Sequence, residues 1–264
     1  MDWVRDIGGG ILVRRVAPRA APRLGTLDGM GLRFEAVVFD LGGVLIDWNP
    51  RYLYRSLFEG DEAAMERFLA EIATQAWNAE QDAGRSWRDA IATLVALHPD
   101  RRDLIVAYDE RWAEMLGGPI EGTVEVLADL RRAGVRVAAL SNWSAEKFPI
   151  ARARYPFLGW FETIVVSGEV GMAKPDPRIF RHLLEQTGFD ATSTVFVDDA
   201  PVNVAVAAEL GMTALRFGDP VSLRRDLVAF GLLPEHVSPA TSPGMAAVTT
   251  SKRPGHRRIG RSWR

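Results

Sequence analysis

EAVVFDLGGVLIDWNP, residues 35–50, is the stretch whose reading decides the fold. Ala36-Val37-Val38-Phe39 is apolar without polar alternation, and Val37 and Val38 are β-branched. Such a run reads as a short strand buried on both faces, as in a parallel sheet under helices. Ligands of such sheets sit beyond the carboxyl ends of the strands, and Asp40 stands at that end. Gly42 and Gly43 let the chain turn sharply and come close to a ligand. Taken alone, the stretch is equally an ordinary strand end whose Asp opens a turn.

Downstream the pattern divides. Residues 50–118 carry helical spacing and no convincing strand. Met65, Phe68, Leu69 and Ile72 share one helical face. So do Trp87, Ile91, Leu94 and Val95, and then Leu104, Ala107, Tyr108, Trp112 and Met115. Gly117-Gly118-Pro119 closes this block. From residue 120, helices and strands alternate. Strands are expected at 135–140, 163–166, 194–197 and 213–217, and helices at about 124–134, 145–154, 179–188 and 202–210. Alternation of this kind implies right-handed crossovers and a parallel sheet covered on both sides. The expected fold is therefore α/β: a Rossmann-like parallel sheet core from residues 34–48 and 119–233, with helices on both faces. A small all-helical unit, residues 49–118, is inserted after the first strand. Its Trp77, Trp87 and Trp112 read as packing.

Residues 1–33 have no clear period and lack the compact apolar core of a secretory signal; they read as a flexible extension. Met30, just before the first strand, is a second candidate start. Residues 234–264, rich in Pro, Ser, Thr and Arg, read as a disordered basic tail. The formal net charge of −2 conceals +3 over residues 1–33, −10 over 34–233 and +5 over 234–264. A basic tail can touch nucleic acid or a membrane, but no aromatic interleaving or motif accompanies this one, so neither partner is expected. No apolar run reaches the ~18 residues of a membrane-spanning helix. The chain has no Cys, which excludes disulfides, thiolate metal sites and Cys nucleophiles and fits a cytoplasmic protein.

The chemistry emerges when the strand ends are set side by side. The first ends in Asp40, the next in Ser141-Asn142, another leads toward Lys174-Pro175, and the fourth ends in Asp198-Asp199. Ends of parallel strands share one edge, so these residues can converge although far apart in sequence. Individually they are bland: Ser-Asn usually caps a helix, and an Asp pair usually opens a turn.

The ordered set resembles the haloacid dehalogenase superfamily of hydrolases. The resemblance spans residues 35–217 and four motifs in order: Phe39-Asp40-Leu41-Gly42-Gly43-Val44-Leu45, Leu140-Ser141-Asn142, Gly171-Met172-Ala173-Lys174-Pro175-Asp176-Pro177, and Val197-Asp198-Asp199-Ala200-Pro201-Val202-Asn203. The helical insertion falls where that family carries its first-type cap domain. The resemblance implies that Asp40 attacks phosphorus, forming an aspartyl-phosphate. It implies Mg²⁺ held by the Asp40 carboxylate, the Gly42 carbonyl, Asp198 and Asp199, with Asn203 supporting from behind; an all-oxygen donor set suits that ion. Gly43, Ser141, the Asn142 backbone and Lys174 would bind the transferring phosphoryl group, and Lys174 would also steady the nucleophile.

One departure stands out. Phosphatases of the family usually carry a second Asp, an acid–base, two residues after the nucleophile, and here that position is Gly42. A good leaving group needs little protonation, and the first motif together with Ser-Asn, Lys-Pro and Asp-Asp is similar to bacterial α-D-glucose-1-phosphate phosphatases. Asp47 is a candidate substitute, although a turn residue at the entry to the insertion is its plainer reading. The expected activity is Mg²⁺-dependent hydrolysis of a small phosphorylated metabolite, with a sugar phosphate favoured. One alternative is a metal-independent 2-haloacid dehalogenase using the same Asp40; three unneutralised carboxylates argue against it. The other is a non-catalytic module that binds a phosphorylated ligand. Specificity would come from the insertion, with Trp48, Arg51, Tyr52, Arg55 and Trp77 as candidates. Trp143 either lines the pocket or packs beneath it.

Overall fold

The computed structural model describes residues 34–235. The expectations for residues 1–33, and for all but the first two residues of the basic tail, lie outside the described residues. In chain order the elements begin with β1 (Ala36–Phe39) and β2 (Ile46–Trp48). Helices α1 (Arg51–Leu57), α2 (Glu62–Glu71), α3 (Gln75–Asp82), α4 (Trp87–Leu97) and α5 (Arg102–Glu110) follow. Then come β3 (Leu116–Pro119), α6 (Glu121–Arg132), β4 (Arg136–Ser141), α7 (Phe148–Arg154) and β5 (Thr163–Val166). The chain continues through α8 (Ser167–Val170), α9 (Pro177–Thr187), β6 (Thr194–Asp198), α10 (Pro201–Glu209), β7 (Thr213–Arg216) and α11 (Pro220–Ala229).

Five strands form one parallel sheet in the order β5–β4–β1–β6–β7. All four residues of β1 are buried, as its unbroken apolar run requires. Alternate side chains feed two separate cores. Val37 and Phe39 pack with Leu127 and Leu130 of α6 and Leu227 of α11. Ala36 and Val38 pack with Phe180 and Leu183 of α9 and Ala207 of α10. Helices thus cover both faces, and the α/β class read from the alternation is the fold.

The chain runs outward from β1 through β4 to β5, then returns to the far side of β1 for β6 and β7. The direction of winding therefore reverses between β1 and β6. That switch point is where open α/β sheets place a ligand.

Two local readings need correction. Leu116–Pro119 is a strand, pairing antiparallel with β2 through Ile46–Pro119 and Asp47–Gly118. Gly-Gly-Pro has poor strand propensity, so only the distant partner makes it one. The helix read through Leu104 to Met115 stops at Glu110, and Trp112–Met115 is a 3₁₀ turn. Between β2 and β3 there are only helices and turns. Among the described residues no helix is long and apolar enough to cross a membrane.

Candidate active site

The register of β1 against β6 sets Phe39 beside Val197, and Asp40 N donates to Val197 O at 2.8 Å. The residues one step further, Asp40 and Asp198, therefore emerge side by side at the switch point. Lys174 reaches both from the loop before α9: its Nζ lies 2.9 Å from Asp40 Oδ1 and 2.6 Å from Asp198 Oδ2, with its side chain 1% exposed. Asn142 fixes that loop. Its Nδ2 donates to Lys174 O and its Oδ1 accepts from Lys174 N, both at 2.8 Å. Asn203 Nδ2 donates to both Asp198 oxygens at 3.0 Å, and Ala200 N donates to Oδ1 at 2.8 Å. Asp198 is thereby held immobile from behind.

Asp40 is arranged differently. Leu41 N donates to its Oδ1 at 2.7 Å, the oxygen that also meets Lys174, and Oδ2 has no partner among the described residues. Burial pushes its carboxyl up to about 6, opposed by the Lys174 charge and reinforced by that of Asp198. Asp199 is also raised, first by burial and then by Asp198. Carboxylate oxygens of Asp40, Asp198 and Asp199 lie within 4.8 Å of one another. Lys174 supplies one positive charge to this group of three, so the cluster is short of cations.

The turn after β1 closes on itself through Gly43 N to Ile46 O at 2.9 Å and Leu45 N to Leu41 O at 2.8 Å. Gly43 has φ +73°, and a Cβ there would stand 2.8 Å from Asp199 Oδ2. Only glycine allows both this backbone and so close a carboxylate. Gly42, by contrast, has open space where a Cβ would go.

A cavity of about 390 Å³ lies over these residues, lined on one side by Asp40, Gly42, Gly43, Ser141, Asn142 and Asp199. Its size suits a small-molecule ligand. Among the described residues, Ser141 Oγ and Trp143 Nε1 are buried without a hydrogen-bond partner, and both residues line the cavity. Buried polar atoms rarely stay unpaired, so a ligand that pairs them is the natural complement. The opposite wall comes from Gln75, Asn78, Ala79 and Asp82 of α3, with Trp48 and Trp112.

The structure thus brings together Asp40, Gly42, Gly43, Ser141, Asn142, Lys174, Asp198 and Asp199. Other sequence candidates lie elsewhere. Arg51 pairs with Glu66 and Arg55 with Glu62. Trp77 packs edge-on against Trp87 and Tyr108. Tyr52 donates to Asp47 Oδ2 at 2.5 Å, and neither residue lines the cavity. Trp112, read as packing, also lines it, while Trp143 does both: it packs on Phe148 and faces the cavity. The α3 wall escaped the sequence reading. Its signal was present, since positions 75, 78, 79 and 82 recur on one helical face, but that face is polar, and a polar helical face ordinarily reads as solvated.

Known proteins resemble this chain over most of its length. A sesquiterpene phosphatase of Aspergillus oryzae is 27% identical over 74% of this chain and 95% of its own. A phosphoglycolate phosphatase of Cupriavidus necator is 28% identical over 80% of this chain and 96% of its own. A haloacid dehalogenase family enzyme of Bacteroides thetaiotaomicron, solved with magnesium and inorganic phosphate, superposes with a TM-score of 0.54 at 25% identity, covering 70% of this chain and 95% of that one. A family model of haloacid dehalogenase-like hydrolases matches residues 34–211, most of the chain, and to that family of hydrolases this chain belongs.

Proposed function

We propose that this hydrolase is a Mg²⁺-dependent phosphomonoesterase acting on a small phosphorylated metabolite, with a sugar phosphate favoured, through an aspartyl-phosphate on Asp40. One observation carries the reading. Asp40, Asp198 and Asp199 converge within 4.8 Å, while Lys174 forms its ion pairs with the first two and one positive charge serves all three. A haloacid dehalogenase working without metal would leave that cluster short of positive charge. The phosphatases among the relatives point the same way.

The residues fit the ion. The donors are hard oxygens, and the bare Gly43 leaves Asp199 the room a side chain would fill. Asp40, Asp199, Asp198 and the Gly42 carbonyl would hold Mg²⁺, which when bound would neutralise phosphate oxygens facing the nucleophile. The chain's own groups do the rest. Asp40 Oδ2, without a partner among the described residues, attacks phosphorus, while Leu41 N and Lys174 hold Oδ1 and fix the carboxylate's direction. Ser141 Oγ and the Asn142 backbone take the phosphoryl oxygens, with Gly43 in the turn beneath. Lys174 adds charge where negative charge builds. In this reading residues 49–118 are a cap whose α3 closes the cavity over a core formed by residues 34–48 and 119–233, and excludes water during transfer.

The test is a turnover screen of purified protein over phosphorylated metabolites and 2-halo acids. Phosphate release that stops with EDTA and returns with Mg²⁺ is expected. Chloride release from 2-chloropropionate that ignores chelator would replace this reading with the dehalogenase.

A further inference from the structure

A phosphomonoester of an ordinary alcohol leaves poorly unless its oxygen is protonated as the bond to phosphorus breaks. Gly42 offers no proton, and Asp47 is turned to Tyr52, outside the cavity. Three carboxyls line the cavity: Asp40, Asp199 and Asp82. The first two belong to the cluster that attacks and binds. Asp82 stands on the opposite wall, at the last position of α3.

Resting on the phosphatase reading, we propose that Asp82 is the proton donor to the leaving group, in place of the carboxyl absent at position 42. Its Oδ2 accepts from Asn78 Nδ2 at 2.9 Å, and the nearby Ser144 backbone N–H also favours its carboxylate. Accepting that bond leaves a carboxylic acid free to point its own O–H at a ligand. Asn78 Oδ1, on the same wall, is buried without a partner among the described residues. Among the described residues no Lys or Arg forms an ion pair with Asp82, so only uncharged donors, Asn78 and the Ser144 backbone, oppose the burial that favours its neutral form. Burial pushes it up to about 7, which keeps a proton on a large fraction of molecules at neutral pH.

The step balances. Asp40 Oδ2 forms a bond to phosphorus as the bond from phosphorus to the alcohol oxygen breaks. The electron pair goes to that oxygen, and the Asp82 proton joins it to give the free alcohol. In the second half, Asp82 carboxylate takes a proton from the water that attacks the aspartyl-phosphate, which restores Asp40 and releases phosphate.

The backbone of Asp82 also anchors α3, since Ser167 Oγ donates to its carbonyl at 2.5 Å. The test must therefore separate chemistry from anchoring. Asp82→Asn keeps an oxygen acceptor for Asn78 and Ser144 but has no acid. Single-turnover phosphoryl transfer would be measured on 4-nitrophenyl phosphate, whose leaving group needs little protonation, and on glycerol phosphate, whose leaving group needs it. Asp82→Asn should slow glycerol phosphate ~10²–10⁴-fold and 4-nitrophenyl phosphate no more than about threefold. Adding Gly42→Asp, where a side chain has room, should recover at least tenfold on glycerol phosphate. Equal losses on both substrates, or no loss on glycerol phosphate, would overturn the assignment. If Asp82→Asn does not fold, the parent decides: rates across substituted phenyl phosphates should depend weakly on leaving-group pKa, and a steep dependence would remove Asp82 as donor. A parent inert on both esters overturns the phosphatase reading itself, and this assignment with it.

Discussion

At the scale of single residues, Lys174 is the residue on which the site turns. It is buried between two carboxylates, and one of them, Asp198, is already saturated by Asn203 and Ala200. Removing the ammonium strands both acids in a dry site, the situation in which breaking a buried pair costs ~3–5 kcal/mol. Lys174→Ala should therefore lower stability by that order in chelator, and Mg²⁺ should restore part of it by supplying the missing charge. Urea unfolding with and without the ion reads both; unchanged stability in chelator would mean that the acids are neutral in the folded protein. Asp40→Asn should cut turnover by on the order of 10³-fold or more while circular dichroism and melting stay native. Gly43→Ala combines a left-handed backbone with a carboxylate 2.8 Å from the new carbon. It should cost ~1–2 kcal/mol and weaken Mg²⁺ binding in calorimetry. Retained affinity would place the ion away from Asp199.

At the scale of elements, what was legible tracks what is local. β1, β4, β5 and β6 declared themselves because each is a largely apolar run, buried throughout in β1 and β6 and over most of β4, half-buried at the start of β5, and Asp40, Ser141, Lys174 and Asp198 follow from where those runs end. β3 did not, because Leu116–Pro119 becomes a strand only through β2, nearly seventy residues away. The α3 wall did not either, because Asn78 and Asp82 become a surface of the site only once α3 is set over the strand ends. Gly117 shows what the β2–β3 pair demands. A Cβ there would lie 2.5 Å from Asp47 Oδ2 and 2.6 Å from Tyr52 Cε2. Gly117→Ala should thus push Tyr52 and Asp47 apart and cost ~1–3 kcal/mol, the usual penalty of overpacking. The readouts are the melting temperature and the Tyr52 hydroxyl signal; an unperturbed Tyr52 with full stability would mean the pair is looser than it looks.

Across the whole molecule, the helices between β2 and β3 are fastened to the sheet edge by polar contacts gathered in one place. Trp87 Nε1 donates to Ser144 Oγ at 2.9 Å, Trp87 N to Glu146 Oε1 at 3.0 Å, and Lys147 Nζ pairs with Asp109. Asp82 lies beside the Ser144 N–H at the same junction, and burial raises its carboxyl from 3.8 to about 7. The sign follows from proton counting. Between about pH 4 and 7 the folded chain keeps the Asp82 proton that the unfolded chain releases, so the stability it contributes is full below pH 4 and is lost as pH rises toward 7. At 1.36 kcal/mol per pKa unit the ceiling is roughly 4 kcal/mol. Asp40, also raised, pulls in the same direction, so the parent's own curve cannot isolate Asp82. The difference between parent and Asp82→Asn can, because the amide has no proton to lose. In chelator, Asp82→Asn should gain on the parent steadily from pH 4 to 7 and hold a constant lead above pH 8. A difference that stays flat across that window would mean that Asp82 is already ionised in the fold, with no proton to give at neutral pH.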